Sequence, residues 1–216
     1  MTLAINPVQQ LFSQALLQHQ KGHLEAAQAG YEAVLQHNSK HVDANHLLGM
    51  LLSSKQDYVR ALPYLEQAIA LYPKEYSFWG NRALALEGLQ NYEEALASFD
   101  RALSCKPDCP ITWYNRGNIL KKLGKLEEAL HSFERAVAVD NNFLPSLLNA
   151  SIVLQGLGQF DEALEVLNRA LSINPSAAEI YLNRGNIFKE LKQYDTALQN
   201  YEQAIALQAN YAGAHL

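Results

Sequence analysis

"WYNRGNILKKLGKLEEALHSFERAVAVD", Trp113 to Asp140, decides the fold. Trp113, Gly117 and Leu120 recur at helical spacing and share one face. Leu126, Ala129, Leu130, Phe133, Ala136 and Val137 form a second such stripe. Gly124 lies between the two, where a left-handed residue would stop the first helix. The stretch predicts helix, tight turn, helix.

The pattern continues in both directions. Ala27, Ala61, Ala95, Ala129, Ala163 and Ala197 lie 34 residues apart, with no insertion or deletion. A fixed period of this length marks a repeat array rather than a single-core domain. With units starting at Val8, six units cover 8–41, 42–75, 76–109, 110–143, 144–177 and 178–211. Residues 1–7 lead in, and 212–216 begin a seventh unit. Small residues fill position 8 of each unit (Ala15, Gly49, Ala83, Gly117, Ser151, Gly185). Large ones fill position 24 (Tyr31, Leu65, Phe99, Phe133, Leu167, Tyr201). Small residues let two helices approach, and large ones fill the space between them. Gly22, Gly124 and Gly158 share position 15, and Pro73, Pro107 and Pro175 share position 32, where proline ends the second helix.

Period and pattern together resemble the tetratricopeptide repeat. That resemblance implies an all-α, right-handed superhelical solenoid of antiparallel helix pairs. Thirteen helices are expected if the segment after Tyr211 is ordered. Pro63 falls inside the second helix of its unit, so that helix is expected to start late or to bend.

Composition bounds the function. The chain has 17 basic and 22 acidic residues, net charge −5, with no basic stripe for nucleic acid. No apolar run reaches membrane-spanning length, and "MTLAINPVQQ" lacks the features of a signal peptide. A cytoplasmic protein is expected. Cys105 shares an apolar column with Leu71, Val139, Ile173 and Leu207 and reads as a small core residue. Cys109 lies in the following connection, and no disulfide is expected between the two.

Candidate chemistry is sparse. His19 and His23, like His37 and His41, are four apart, but each pair runs off a helix end, and no further ligand completes a tetrahedral site. They read as solvated histidines on a variable first unit. Glu93-Glu94 and Glu127-Glu128 suit helix N-termini through the dipole. No phosphate loop or nucleophile signature appears. Neither catalytic residues, metal ligands nor a cofactor are expected, and the chain does not read as an enzyme.

One polar column stands out: Asn81, Asn115, Asn149 and Asn183 at position 6, with Asn118 and Asn186 at position 9. By resemblance to the family, these positions face the concave groove lined by the first helices. An amide carries both donor and acceptor, so the column is suited to an extended peptide backbone. The competing reading is a consensus residue satisfied by water. The ladder and the "NRGN" wording (Asn115 to Asn118, Asn183 to Asn186) also resemble the repeat region of protein O-linked N-acetylglucosamine transferases and their bacterial relatives. That resemblance implies an arm that recruits protein substrates to a catalytic region elsewhere. Ser13 and Leu47 depart from the column in the first two units. Chaperone adaptors of the family hold a C-terminal carboxylate with cations; the matching positions here are Tyr114, Asn149, Glu179 and Asn183, so no such clamp is expected. The groove mixes Lys121, Lys122 and Lys189 with Glu87, Glu179 and Glu190, around apolar Ile111, Tyr114, Leu148 and Ile152.

The sequence therefore points to a module that binds extended segments of partner proteins. A structural scaffold that self-associates or assembles a complex is the alternative, and an enzyme ranks last. "AGAHL" (Ala212 to Leu216) reads as a seventh unit cut short in a longer protein. The stripe Leu198, Tyr201 and Ile205 before it is expected to pair with a second copy of the chain.

Overall fold

The computed structural model describes residues 7–213, with side chains from 7 to 208. Among these residues every element is a helix. A division after Pro107 gives two compact bodies. The first holds α1 (Pro7–Gln20), α2 (Leu24–His37), α3 (Val42–Ser54), α4 (Tyr58–Leu71), α5 (Tyr76–Gly88) and α6 (Tyr92–Cys105). The second holds α7 (Pro110–Lys122), α8 (Leu126–Val139), α9 (Leu144–Gly156), α10 (Phe160–Ile173), α11 (Ala178–Glu190) and α12 (Tyr194–Gly213). Within each body the helices pack in sequential pairs, and each pair stacks on the next. The first helix of a pair also meets the next first helix, as α3 meets α5 and α9 meets α7 and α11. The all-α solenoid of helix pairs is the architecture observed.

The columns explain the packing. Ala27, Ala61, Ala95, Ala129 and Ala163 are wholly buried, as are Val34, Ala68, Ala102, Ala136 and Ala170 seven residues on. Tyr31, Leu65, Phe99, Phe133 and Leu167 are buried between them. Each large ring or branched chain removed from water contributes about 1.5–3 kcal/mol. The contact with position 8 is close. A Cβ added to Gly117 would stand 2.6 Å from Phe133 Cε1, and one on Gly185 would stand 2.5 Å from Tyr201 Cε1.

The turns are uniform. All six residues at position 15 have positive φ: Gly22, Gln56, Gln90, Gly124, Gly158 and Lys192, between 60° and 77°. Three of these are not glycine and carry a left-handed backbone strained by Cβ. The second helices end in two ways. Pro73, Pro107 and Pro175 follow the last turn in three units. Asn38 and Asp140 end two helices by accepting from the backbone N–H of Lys40 (3.1 Å) and Asn142 (3.0 Å), as short polar side chains do in turns. α12 has neither device, with Gln208 and Ala209 at the matching places, and it runs on to Gly213. The described residues therefore hold twelve helices, not thirteen: the chain passes Tyr211 without a turn, and residues 214–216 lie outside the described part.

Three further expectations are corrected. α4 starts at Tyr58, in step with its counterparts at Tyr92 and Leu126, so Pro63 does not delay it. Asp57 caps that helix by accepting from Arg60 N at 3.4 Å. Pro63 gives up only the bond to Val59, a residue 70% exposed. Cys105, expected in the core, is exposed, while Cys109 in the connection is buried. Position 30 lies on the last turn of the second helix, at the rim of the core, where Val139 is exposed too. The early histidines are not simply solvated. His41 Nδ1 accepts from Ala44 N at the start of α3, and its ring packs 4.6 Å from that of Phe12. His19 Nδ1 lies 3.0 Å from the Tyr31 hydroxyl.

Relief of the strained turns is measurable. Gln90→Gly is expected to raise unfolding stability by up to about 1 kcal/mol, and Gly124→Ala to lower it by a similar amount. Urea unfolding followed by circular dichroism checks both signs.

Candidate peptide-binding groove

In the second body the first helices α7, α9 and α11 line a groove of about 380 Å³. Tyr114, Leu148, Asn149, Ile152, Leu182 and Asn183 form much of its wall. Ile152 and Leu182 are exposed, although both are large and apolar. Pro110 and Pro145 lie in the first turns of α7 and α9, where a missing N–H costs nothing. The helix register then brings positions 5, 6 and 9 to the groove side.

The asparagines differ in their partners. Asn149 is the most engaged. Its Oδ1 accepts from Lys121 Nζ, and its Nδ2 donates to the Tyr114 hydroxyl and to Pro145 O, both at 3.3 Å. This network joins α7 to α9. Burial holds the Lys121 ammonium below its ordinary pKa, and neighbouring Lys122 lowers it further. Asn115, Asn118 and Asn183 are half-buried, and their amides make no hydrogen bond to another described residue. Asn186 Oδ1 accepts from the hydroxyl of Tyr201 at 3.0 Å, which ties it to α12. The acid at Glu190 is engaged by Gln155 Nε2 at 2.6 Å.

Asn81 belongs to the first body, where its Nδ2 donates to His46 Nε2 at 2.7 Å. The His46 ring packs 4.4 Å from that of Phe78. Burial pushes the imidazole below its ordinary pKa, against the raising pull of Asp43 and Glu75. The hydrogen bond needs that neutral ring, since a protonated Nε2 is a donor and cannot accept.

A second set of polar contacts lies within the helix pairs. Arg82 and Arg116, at position 7, donate NH1 to Ser98 Oγ and Ser132 Oγ at position 23, both at 2.7 Å. Arg82 and Arg116 thus point away from the groove, to their own second helix. The signal was in the sequence, because serine stands sixteen residues after arginine in both units. Among the described residues no three His, Cys, Asp or Glu side chains gather as a metal site requires. No helix among them is long and apolar enough to cross a membrane.

Family models of the tetratricopeptide repeat match residues 46–110, and 110–143 with 178–211, and a TPR repeat model matches 156–192. Together these spans take in well over half of the chain. The chain is a tetratricopeptide-repeat protein. Proteins of this repeat family mediate protein–protein interaction. A search of curated proteins finds no match. Solved structures agree on the fold. A tetratricopeptide repeat protein from Parabacteroides merdae superposes with a TM-score of 0.79 at 20% identity, over 92% of this chain and 79% of that one. MamA gives 0.74 at 17% identity, over 80% and 94%. YrrB, described as a TPR protein with an unusual peptide-binding site, gives 0.69 at 23% identity, over 84% and 94%.

The half-buried imidazole of this TPR protein is expected to make its stability depend on pH. The His46 pKa is lower folded than unfolded, so its stabilising share is complete above the unfolded value of about 6.5 and is lost as pH falls below it. The melting temperature is expected to fall between pH 7 and pH 5. In His46→Gln the drop is expected to be smaller; calorimetric scans across that range check it.

Proposed function

We propose that this repeat array binds extended peptide segments of partner proteins along the groove of its first helices, in the cytoplasm. The division into six units at 8–41, 42–75, 76–109, 110–143, 144–177 and 178–211 is part of that reading. The observation that carries it is the groove in the second body: exposed Ile152 and Leu182 beside the unengaged amide of Asn183, with Asn115 unengaged at the same repeat position on α7. The apolar walls take side chains, and the amides pair with N–H and C=O of the bound backbone. Asn149, braced by Lys121 and Tyr114, keeps the wall rigid. Asn118 lies on the same helix face as Asn115, while Asn81 and Asn186 already hold internal partners. Few polar contacts of about 0.5–1.5 kcal/mol each, set against the cost of ordering a peptide, give modest affinity and broad selection.

The more specific form of the proposal is the recruiting arm of an O-linked N-acetylglucosamine transferase-like protein. The asparagine column and the two "NRGN" segments support it. In that case peptides that occupy the groove compete with glycosylation of protein substrates by the full-length enzyme. A peptide that binds the groove without any such competition overturns this form alone.

A second reading, self-association, is favoured by α12. Leu198 and Ile205 of the expected stripe are 57% and 67% exposed, and Tyr194 on the same helix is 64% exposed; Tyr201 is instead half-buried, packed against Gly185 and bonded to Asn186. Exposed apolar surface of this kind drives association at about 25 cal/mol per Å² buried.

Two measurements follow. Replacing Asn115 and Asn183 together by alanine is expected to weaken capture of an unstructured substrate peptide several-fold without moving the melting temperature, as read by isothermal calorimetry and a thermal scan. Unchanged affinity removes the amides from the mechanism. In light scattering the chain is expected to dimerise with rising concentration, and Leu198→Asp with Ile205→Asp is expected to keep it monomeric.

A further inference from the structure

Arg82 shows what position 7 does on the side of the second helices. Its Nε and NH2 donate to Glu66 Oε1 at 3.1 and 3.0 Å, its NH2 also to Glu94 at 3.3 Å, and its NH1 to Ser98. The guanidinium thus fills the seam between α4 and α6. Glu66 stands at position 25 of the preceding unit and Ser98 at position 23 of its own.

At the equivalent seam between α8 and α10 the arginine is missing. Position 7 is Ala150 and position 23 is Val166, while position 25 of the preceding unit is still an acid, Glu134. What remains is an open cleft of about 300 Å³. Glu134 stands on its wall, above Val137, Leu147, Leu154 and Val166. Glu134 makes no hydrogen bond or ion pair with any described residue. Arg169, also on the wall, is committed elsewhere: its NH2 donates to Asn141 O and Oδ1 at 3.1 and 3.2 Å. Its counterpart Arg101 likewise lies over the Trp79 ring, 5.5 Å away, and leaves Glu66 to Arg82. The next position 7 is Arg184, whose Nε is buried with no partner, opposite Asn168 rather than an acid. The second body thus holds a carboxylate without its arginine at one seam and an arginine without its carboxylate at the next.

We propose that the cleft between α8 and α10 receives an arginine side chain from a partner protein, in the place that Arg82 fills from within at its own seam. The aliphatic stem lies on Val166 and Leu154, and the guanidinium pairs with Glu134. Arginine suits the slot better than lysine, because its flat fork reproduces the two-bond geometry of Arg82 on Glu66 and its stem tolerates an apolar floor. The surface is separate from the groove of α7, α9 and α11 and does not depend on how that groove is used.

The test uses the 216-residue chain with labelled methyl groups, titrated with N-acetyl-arginine N-methylamide and with its neutral citrulline counterpart. The arginine compound is expected to shift the methyl signals of Val166 and Leu154, with citrulline about tenfold weaker. Glu134→Gln is expected to bring arginine down to the citrulline level. Ala150→Arg, which supplies the missing side chain in cis, is expected to abolish the response and raise the melting temperature. Equal response to both compounds makes the cleft a mere apolar slot and overturns the proposal. So do shifts confined to Ile152 and Leu148 in the other groove, or unchanged affinity in Glu134→Gln. If Ala150→Arg fails to fold, Glu134→Gln at an exposed position still decides.

Discussion

The two helices of each pair approach because one supplies almost no side chain where the other supplies a large one. Gly117 lies against Phe133, Gly185 against Tyr201 and Gly49 against Leu65, each with less than 3.0 Å to spare for an added Cβ. Everything else in the array assumes that distance. The alanines at positions 20 and 27 are buried only because the helices are this near. The left-handed turn at position 15 is needed because a pair this close must be joined by a tight connection. Even strained residues, Gln56, Gln90 and Lys192, adopt it. The packing constraint therefore outweighs the local preference of three residues.

The same geometry separates two surfaces with different chemistry. First helices present large apolar side chains and amides, some unengaged, to a groove. Second helices present seams closed by charged groups, as Arg82, Glu66 and Ser98 close one. Tetratricopeptide repeats reuse one backbone, so differences along this chain arise from what each unit places at few positions. Asn149 is locked by Lys121 and Tyr114, whereas Asn183 at the same position is not. A column of identical residues is thus chemically uneven.

Helix pairing, the buried columns and the left-handed glycines were legible because they repeat, and each copy confirms the others. What does not repeat was harder to see. Cys105 shares a column with apolar residues, but that column lies at the rim, and periodicity gives a face without giving a depth. Register alone does not stop a helix, so it does not give the end of α12; proline or an Asn or Asp turn does, and Gln208 and Ala209 supply neither. Pro63 stands inside a helix, yet the one bond it cannot make frees only the carbonyl of Val59, an exposed residue where water can serve. At the candidate site, the groove-facing positions were readable, but which amides were free was not. That depends on side chains such as His46 and Tyr201, which reach across from other helices.

The close contact between positions 8 and 24 also bears on how such an array can be rearranged. Both members of each tight pair, and both members of the Arg82–Ser98 and Arg116–Ser132 bonds, lie within one stretch of 34 residues. Recombination that breaks the gene between units moves them together, and the transplanted pair still fits. A crossover at the turn near Gly124 splits them and can set an alanine from one parent against a ring that requires glycine. Insertion, loss and shuffling of whole units are then the changes the packing tolerates, and half-unit exchanges the ones it rejects.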